Sequence, residues 1–173
     1  MSKSLLKLVS SSLLPAATLI VSKLIGFFLA LNILHINWFV SRDSFADSIL
    51  NVFIIVPNNF AQQITVSYSN VIMMTIMIIV LSIKIFQSEY LDDTKVSPRL
   101  LMKLAENNLL GLIRNSFDLY YENFLWLIFT WIGLFSVMIN TLMGSSYPYI
   151  FYLSIIFVSI LTVLFIRSTN SAE

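Results

Sequence analysis

Lys23 and His35 are the residues whose positions raise the question of proton chemistry. Both lie within the first long apolar stretch of this 173-residue chain, and His35 is its sole histidine. Ionisable groups at membrane depth mark ion pathways and proton relays, and imidazole changes charge near neutral pH. A relay through a bilayer needs a series of such groups, however, and no Asp or Glu falls inside the long apolar stretches. His35, near the outer end of its stretch, also reads as a hydrogen-bonded interfacial side chain. Lys23 sits either mid-membrane or near the inner headgroups; we adopt the second, with Leu24 to Val40 crossing the hydrocarbon and the Lys23 stem snorkelling inward. The adjacent Asp92 and Asp93 read as a solvated pair on a polar loop rather than an acid/base couple or a metal site. There is no glycine-rich phosphate loop, no His-Glu metal spacing and no nucleophile beside a base. The absence of cysteine removes disulfides and thiolate chemistry. The sequence predicts no catalytic site of its own, no cofactor and no metal.

The elements that position these residues are membrane spans. The chain is 58% hydrophobic and 11% charged, with a mean hydropathy of +0.87, far outside the soluble globular range. We expect an all-α polytopic integral membrane protein, a single membrane domain over residues 1–173. Four stretches are long enough to cross: 20–40, 66–86, 124–143 and 150–166. The net charge of +1 argues for lipid rather than nucleic acid as partner. Its distribution is uneven: Lys3, Lys7, Lys84, Lys95, Arg99, Lys103, Arg114 and Arg167 fall on one side of the membrane and Arg42 alone on the other. The positive-inside rule then places both termini on the cytoplasmic or matrix side.

Three further segments connect or precede the spans. Residues 1–19, basic and then apolar, resemble a signal sequence with a poor cleavage cue at Pro15-Ala-Ala, and are expected to lie along the inner surface as part of an uncleaved anchor. The apolar run Ile49 to Val56 is too short to cross and is stopped by Pro57-Asn58-Asn59, so 49–60 is expected as an outer interfacial segment, helical on its plainest reading. From 99 to 123, Lys103, Asn107, Arg114, Asp118 and Glu122 share one stripe opposite Leu101, Leu109, Leu112, Ile113, Leu119 and Tyr120. This pattern predicts an amphipathic helix in the inner interface.

Inside the spans, Thr130 and Asn140 are the polar groups with most claim to a role, because an amide or hydroxyl in hydrocarbon seeks a partner on another helix. Packing is the plainer alternative to channel lining for both. Trp126, Trp131, Tyr147, Tyr149 and Tyr152 are expected to form the aromatic belts of the membrane borders.

The order of these parts resembles the N-terminal half of subunit a of the rotary F-type ATP synthases, over residues 66–166. The resemblance rests on Ser69-Asn70 and Met74 in one span, Val96 and Pro98 before the surface helix, Phe129-Thr130 and Asn140 in the next span, then Gly144 and Pro148-Tyr149. The spacings from Thr130 to Asn140, Asn140 to Gly144 and Gly144 to Pro148 are each one residue longer than the family's. It implies a subunit that braces the stator/rotor interface in a mitochondrial inner membrane or bacterial plasma membrane. It further implies a rotor ring and a second chain supplying the essential arginine as partners, since the arginine-bearing helices of the family would follow Ile166. Thr130, Asn140, Gly144, Pro148 and Asn70 would then pack helices or line a channel, with Lys23 and His35 as further candidates. Two other readings stand beside it. One is a lineage-specific structural accessory subunit of a respiratory-chain or ATP synthase complex. The other is a small transporter fragment, since "SKLIGFF" at 22–28 and "VPN" at 56–58 are faintly similar to the start of lipid flippases.

Overall fold

In hydrocarbon, backbone polar groups must be satisfied within their own segment, and the α-helix does this at about twenty residues per crossing. The computed structural model describes residues 3–40, 54–56, 58–90, 102 and 116–170. It contains α1 (Lys3–Ile33), β1 (Phe39–Val40), β2 (Ile54–Ile55), α2 (Asn59–Tyr90), α3 (Ser116–Leu142) and α4 (Pro148–Asn170). Each helix holds an apolar stretch long enough to span: Ser11–Ile33, Asn59–Ser88, Tyr120–Leu142 and Pro148–Ser168. The protein is therefore an integral membrane protein of helical class.

The helices form a rhombus. Among the described residues α2 and α3 pack together, while α1 and α4 each pack against both from opposite corners. One end of the bundle, the loop end, carries the α3–α4 turn and the α1–α2 connection; the other carries the first residues of α1 and the last of α4. The core between them is filled by Met73, Met74, Met77, Leu81, Val137 and Val158, all fully buried or nearly so. Unbranched methionine suits irregular gaps between helices. The outward faces, including Ile79, Ile83, Phe135, Phe157 and Val163, stay exposed, as lipid-facing residues should.

The closest packing joins α1 to α2. A Cβ placed on Gly26 would stand 2.9 Å from Ser69 Cα and 3.1 Å from its carbonyl oxygen, so the two backbones nearly touch. Ser22, Gly26 and Ala30, four residues apart on one face of α1, are all buried. This is the small-residue spacing that lets transmembrane helices approach and gain van der Waals contact where lipid removes the hydrophobic drive. The Ser69 hydroxyl seals the seam by donating to the Lys23 carbonyl at 2.6 Å.

Both helices that end at the loop end use the same cap. Gly144 (φ 71°) takes the left-handed conformation, its N–H bonding Thr141 O and the next N–H bonding Asn140 O. His35 (φ 50°) does the same after α1, with His35 N to Asn32 O and Ile36 N to Leu31 O. Each is a Schellman arrangement with its αL residue just past the helix. At the same end Asn58 caps the start of α2, its Oδ1 accepting from Phe60 N at 3.0 Å, and Pro148 opens α4 at the position where a missing N–H is harmless.

Four expectations shift. The first span does not run to Val40: α1 ends at Ile33, and Phe39–Val40 pairs antiparallel with Ile54–Ile55. The same pairing shows that the run 49–56 ends extended rather than helical, as β-branched residues leading into Pro57 favour; residues 41–53 lie outside the described residues. The segment before residue 20 is not separate from the span, because α1 is continuous from Lys3 through Pro15 to Ile33. Because α1 ends at Ile33, a crossing of about twenty residues counted back from there takes in Lys23 well inside the span rather than at its start. Finally, the expected surface helix 99–123 lies mostly outside the described residues, but its last turns belong to α3. There Glu122 pairs with Lys84 at 2.9 Å, and Asn123 Nδ2 donates to the Lys84 carbonyl at 3.2 Å, so the polar end of that stripe is accommodated against α2.

Two pairs of substitutions test these contacts by chemical unfolding in mixed micelles. Gly26→Ala should cost about 1–3 kcal/mol because backbone atoms cannot yield. Gly133→Ala, whose new Cβ would first meet the mobile Leu19 Cδ1 at 3.4 Å, should stay within about 1 kcal/mol of the native chain. Equal costs would show that the α1–α2 seam is not the tight one. For the caps, His35→Gly should stabilise by about 0.5–1 kcal/mol by relieving the αL backbone, and Gly144→Ala should destabilise by about 1–2 kcal/mol.

Candidate functional site

Asn70 and Asn140 sit seventy positions apart in sequence and meet inside the bundle. Asn140 Nδ2 donates to Asn70 Oδ1 at 3.2 Å, and Asn70 Nδ2 donates to Ser146 Oγ at 3.2 Å. The Ser67 hydroxyl also donates to Ser146 Oγ, at 3.4 Å, and itself accepts from Tyr147 N at 3.0 Å. Ser67 and Asn70 share a face because they are three residues apart on α2. Asn140 lies in the last turn of α3, where the Gly144 cap brings Ser146 and Tyr147 back over α2. The node thus ties α2, α3 and the α3–α4 turn together, and Asn70 within it is fully buried.

Lys23 forms a second polar feature well inside its span. Its side chain is 8% exposed, and Nζ donates to Ser136 Oγ on α3 at 3.0 Å. Two turns of packing hold it there: Leu19, one turn earlier, lies over Gly133, and the Lys23 carbonyl is fixed by Ser69. Towards the other end a third polar layer joins α2, α3 and α4. It contains the Lys84–Glu122 ion pair, Ser88 against Ser168 at 3.4 Å, and the Tyr120 hydroxyl donating to Ser168 O at 3.2 Å. Asn123 belongs to this layer; its Nδ2 is bonded, while its buried Oδ1 has no hydrogen-bond partner.

The remaining sequence candidates separate from the node. Thr130 is buried, but its hydroxyl bonds back to Trp126 O in its own helix at 2.7 Å, so it offers no link to another helix. Gly144 and Pro148 are exposed and act through the backbone, as cap and helix start. His35 is exposed at the loop end, where it caps α1 and lines an open groove of about 430 Å³ with Asn32, Asn37 and Trp38. It is far along α1 from Lys23, by about 18 Å at 1.5 Å per residue, so the two do not form one relay. Trp126 is buried in the core rather than at a border, and Trp131 bonds Thr162 on α4 at 3.3 Å. Tyr147 and Tyr149 stack at 5.6 Å at the loop end, where an aromatic belt belongs. Asp92 and Asp93 lie outside the described residues.

Sequence reasoning missed Ser67, Ser136 and Ser146. Serine in an apolar helix is common and carries no spacing signal of its own; its importance appears only when a second helix arrives opposite. The Ser22-Gly26-Ala30 spacing was a readable signal of a close helix contact. No protein-family model matches the chain, and no curated protein or solved structure is significantly similar to it.

The arrangement can hold helices in register, because each polar layer is bonded between helices at a defined height. A double-mutant cycle in mixed micelles measures this. Asn140→Ala should cost about 1 kcal/mol and Asn70→Ala more, since it also strips Ser146 of a donor, with a coupling of about 0.6–1.7 kcal/mol. A coupling near zero would show that the two amides are not bonded in the folded chain.

Proposed function

We propose that this chain is a non-catalytic membrane subunit of a larger complex, similar in role to the N-terminal part of subunit a of a proton-translocating ATP synthase. It would brace the stator/rotor interface in a mitochondrial inner membrane or bacterial plasma membrane, with both termini on the matrix or cytoplasmic side. The observation that carries this reading is the Asn70–Asn140 bond. Two of the residues on which the resemblance rests, Asn70 and Asn140, meet in one interhelical node, which the turn between Gly144 and Pro148 closes through Ser146 and Tyr147. Such a node suits a brace, since it fixes α2 against the α3–α4 hairpin. The essential arginine would come from a second chain.

A structural accessory subunit of a respiratory-chain or ATP synthase complex is the second reading. It is favoured by α1, which lies outside the resemblance and yet makes the tightest contact in the bundle. The two readings part on composition of the complex. Purification of the tagged chain in mild detergent, followed by mass spectrometry of what migrates with it on a native gel, should recover rotor-ring and catalytic-head subunits together with a small protein bearing an intramembrane arginine. Recovery of other respiratory subunits without a rotor ring would replace the first reading by the second. Migration as the free chain would overturn both.

A further inference from the structure

Lys23 is a buried basic residue well inside a membrane span, with no anion beside it among the described residues. It lies ten residues before Ile33, where α1 ends, so about 15 Å of helix separates it from the loop end at 1.5 Å per residue, and α1 continues for twenty residues on its other side. That is beyond the reach of its four-carbon stem to a lipid phosphate. Its ammonium has three donors, and among the described residues the acceptor it meets is the hydroxyl of Ser136. Ionisable residues at this depth pair with one another or with polar groups of the protein.

Among the described residues no carboxylate meets it. The nine acidic residues are Asp43, Asp47, Glu89, Asp92, Asp93, Glu106, Asp118, Glu122 and Glu173. Among the described residues Glu122 is the acid that falls inside one of the spanning stretches, near the start of α3, where it is paired with Lys84. A second copy would bring the same described residues to the same heights, and hence no anion at the depth of Lys23. The Lys23–Ser136 pair stands at the α1–α3 seam, and the neighbouring turns present Ile20, Ile132 and Phe135 to lipid. An incoming helix therefore meets an apolar surface, with Lys23, 8% exposed, at the seam just beneath it.

We propose that Lys23 is an intramembrane docking cation that pairs with an Asp or Glu at its own depth on a transmembrane helix of a different polypeptide. The partner carboxylate accepts from the Nζ donors that Ser136 leaves free. This rests on the reading of the chain as a subunit of a complex, but on no particular complex.

The test uses the full chain in phosphatidylcholine vesicles with fluorescently labelled 23-residue Leu/Ala transmembrane peptides carrying Glu, Gln or Leu at the central position. Energy transfer should report at least tenfold tighter association of the Glu peptide than of the other two. Lys23→Met should bring all three together, and Lys23→Arg should retain the preference. Equal binding of the Glu and Gln peptides to the native chain, or a Glu preference that survives Lys23→Met, would overturn the proposal. A second variant reads the same point within the chain. Ser136→Asp supplies the missing carboxylate, so it should raise the melting temperature, and that rise should vanish in Lys23→Met/Ser136→Asp. A lowered melting temperature with Lys23 present would overturn the proposal as well. Glu-peptide preference combined with no ATP synthase subunits on the native gel would retire the named complex and keep the docking cation.

Discussion

The near contact of the α1 and α2 backbones at Gly26 and Ser69 is the constraint on which the arrangement of the polar groups depends. Lipid tails are as apolar as leucine, so helices in a bilayer gain little from burying aliphatic side chains against each other, and close approach must supply the difference. Gly26 permits that approach, and Ser22 and Ala30 extend it by a turn on either side. The consequence reaches beyond α1. With its carbonyl held by Ser69, Lys23 has its height and direction fixed, and its ammonium is delivered to Ser136 on α3. A bulkier residue at 26 would move Lys23 away from that seam as well as loosen the helix pair.

Polar residues elsewhere in the bundle obey the same economy. An amide or hydroxyl facing hydrocarbon without a partner is costly, and here such groups are gathered at two levels. Asn70, Asn140, Ser67 and Ser146 bond one another near the loop end, and Lys84, Glu122, Ser88 and Ser168 are paired near the other, where Asn123 is bonded through Nδ2 but not through Oδ1. Between them lies a methionine-rich core that can adapt its shape but sets no register. The polar layers set it. A slip of one helix along another would break several hydrogen bonds at once, which is the property expected of a brace.

Lys23 departs from that economy, since among the described residues it meets a hydroxyl and no carboxylate. Its surroundings are preorganised by Leu19, Gly133 and the Ser69 bond, so pairing with an external carboxylate would require little rearrangement. The outward faces of α1 and α3 beside it are apolar, as both lipid and a partner helix would accept. A brace that is also a docking point joins the two features without asking for chemistry that the residues do not support.

Hydropathy was enough to establish the membrane class and the four spans, because twenty apolar residues in a row have no other stable solvent. Sequence alone also marked Thr130 and Asn140 as polar groups in need of partners; Asn70 entered through the resemblance, and Thr130 bonds back within its own helix. The end of α1 was misread by sequence because an apolar run says nothing about its backbone conformation. A left-handed cap at His35 and a two-residue strand pair are decided by hydrogen bonds to residues distant in the chain or by local αL geometry. Lys23 differs from its expected place for a related reason: with the span expected to run to Val40 it stood near the start, and the end of α1 at Ile33 together with the contact to Ser136 on α3 puts it inside the bundle instead. Sequence fixes how much of a helix must be in lipid, since that is a sum over residues. Which polar atoms find each other across helices depends on rotation and height, and those were set by the packing of Gly26 on Ser69 and by the turn at Gly144.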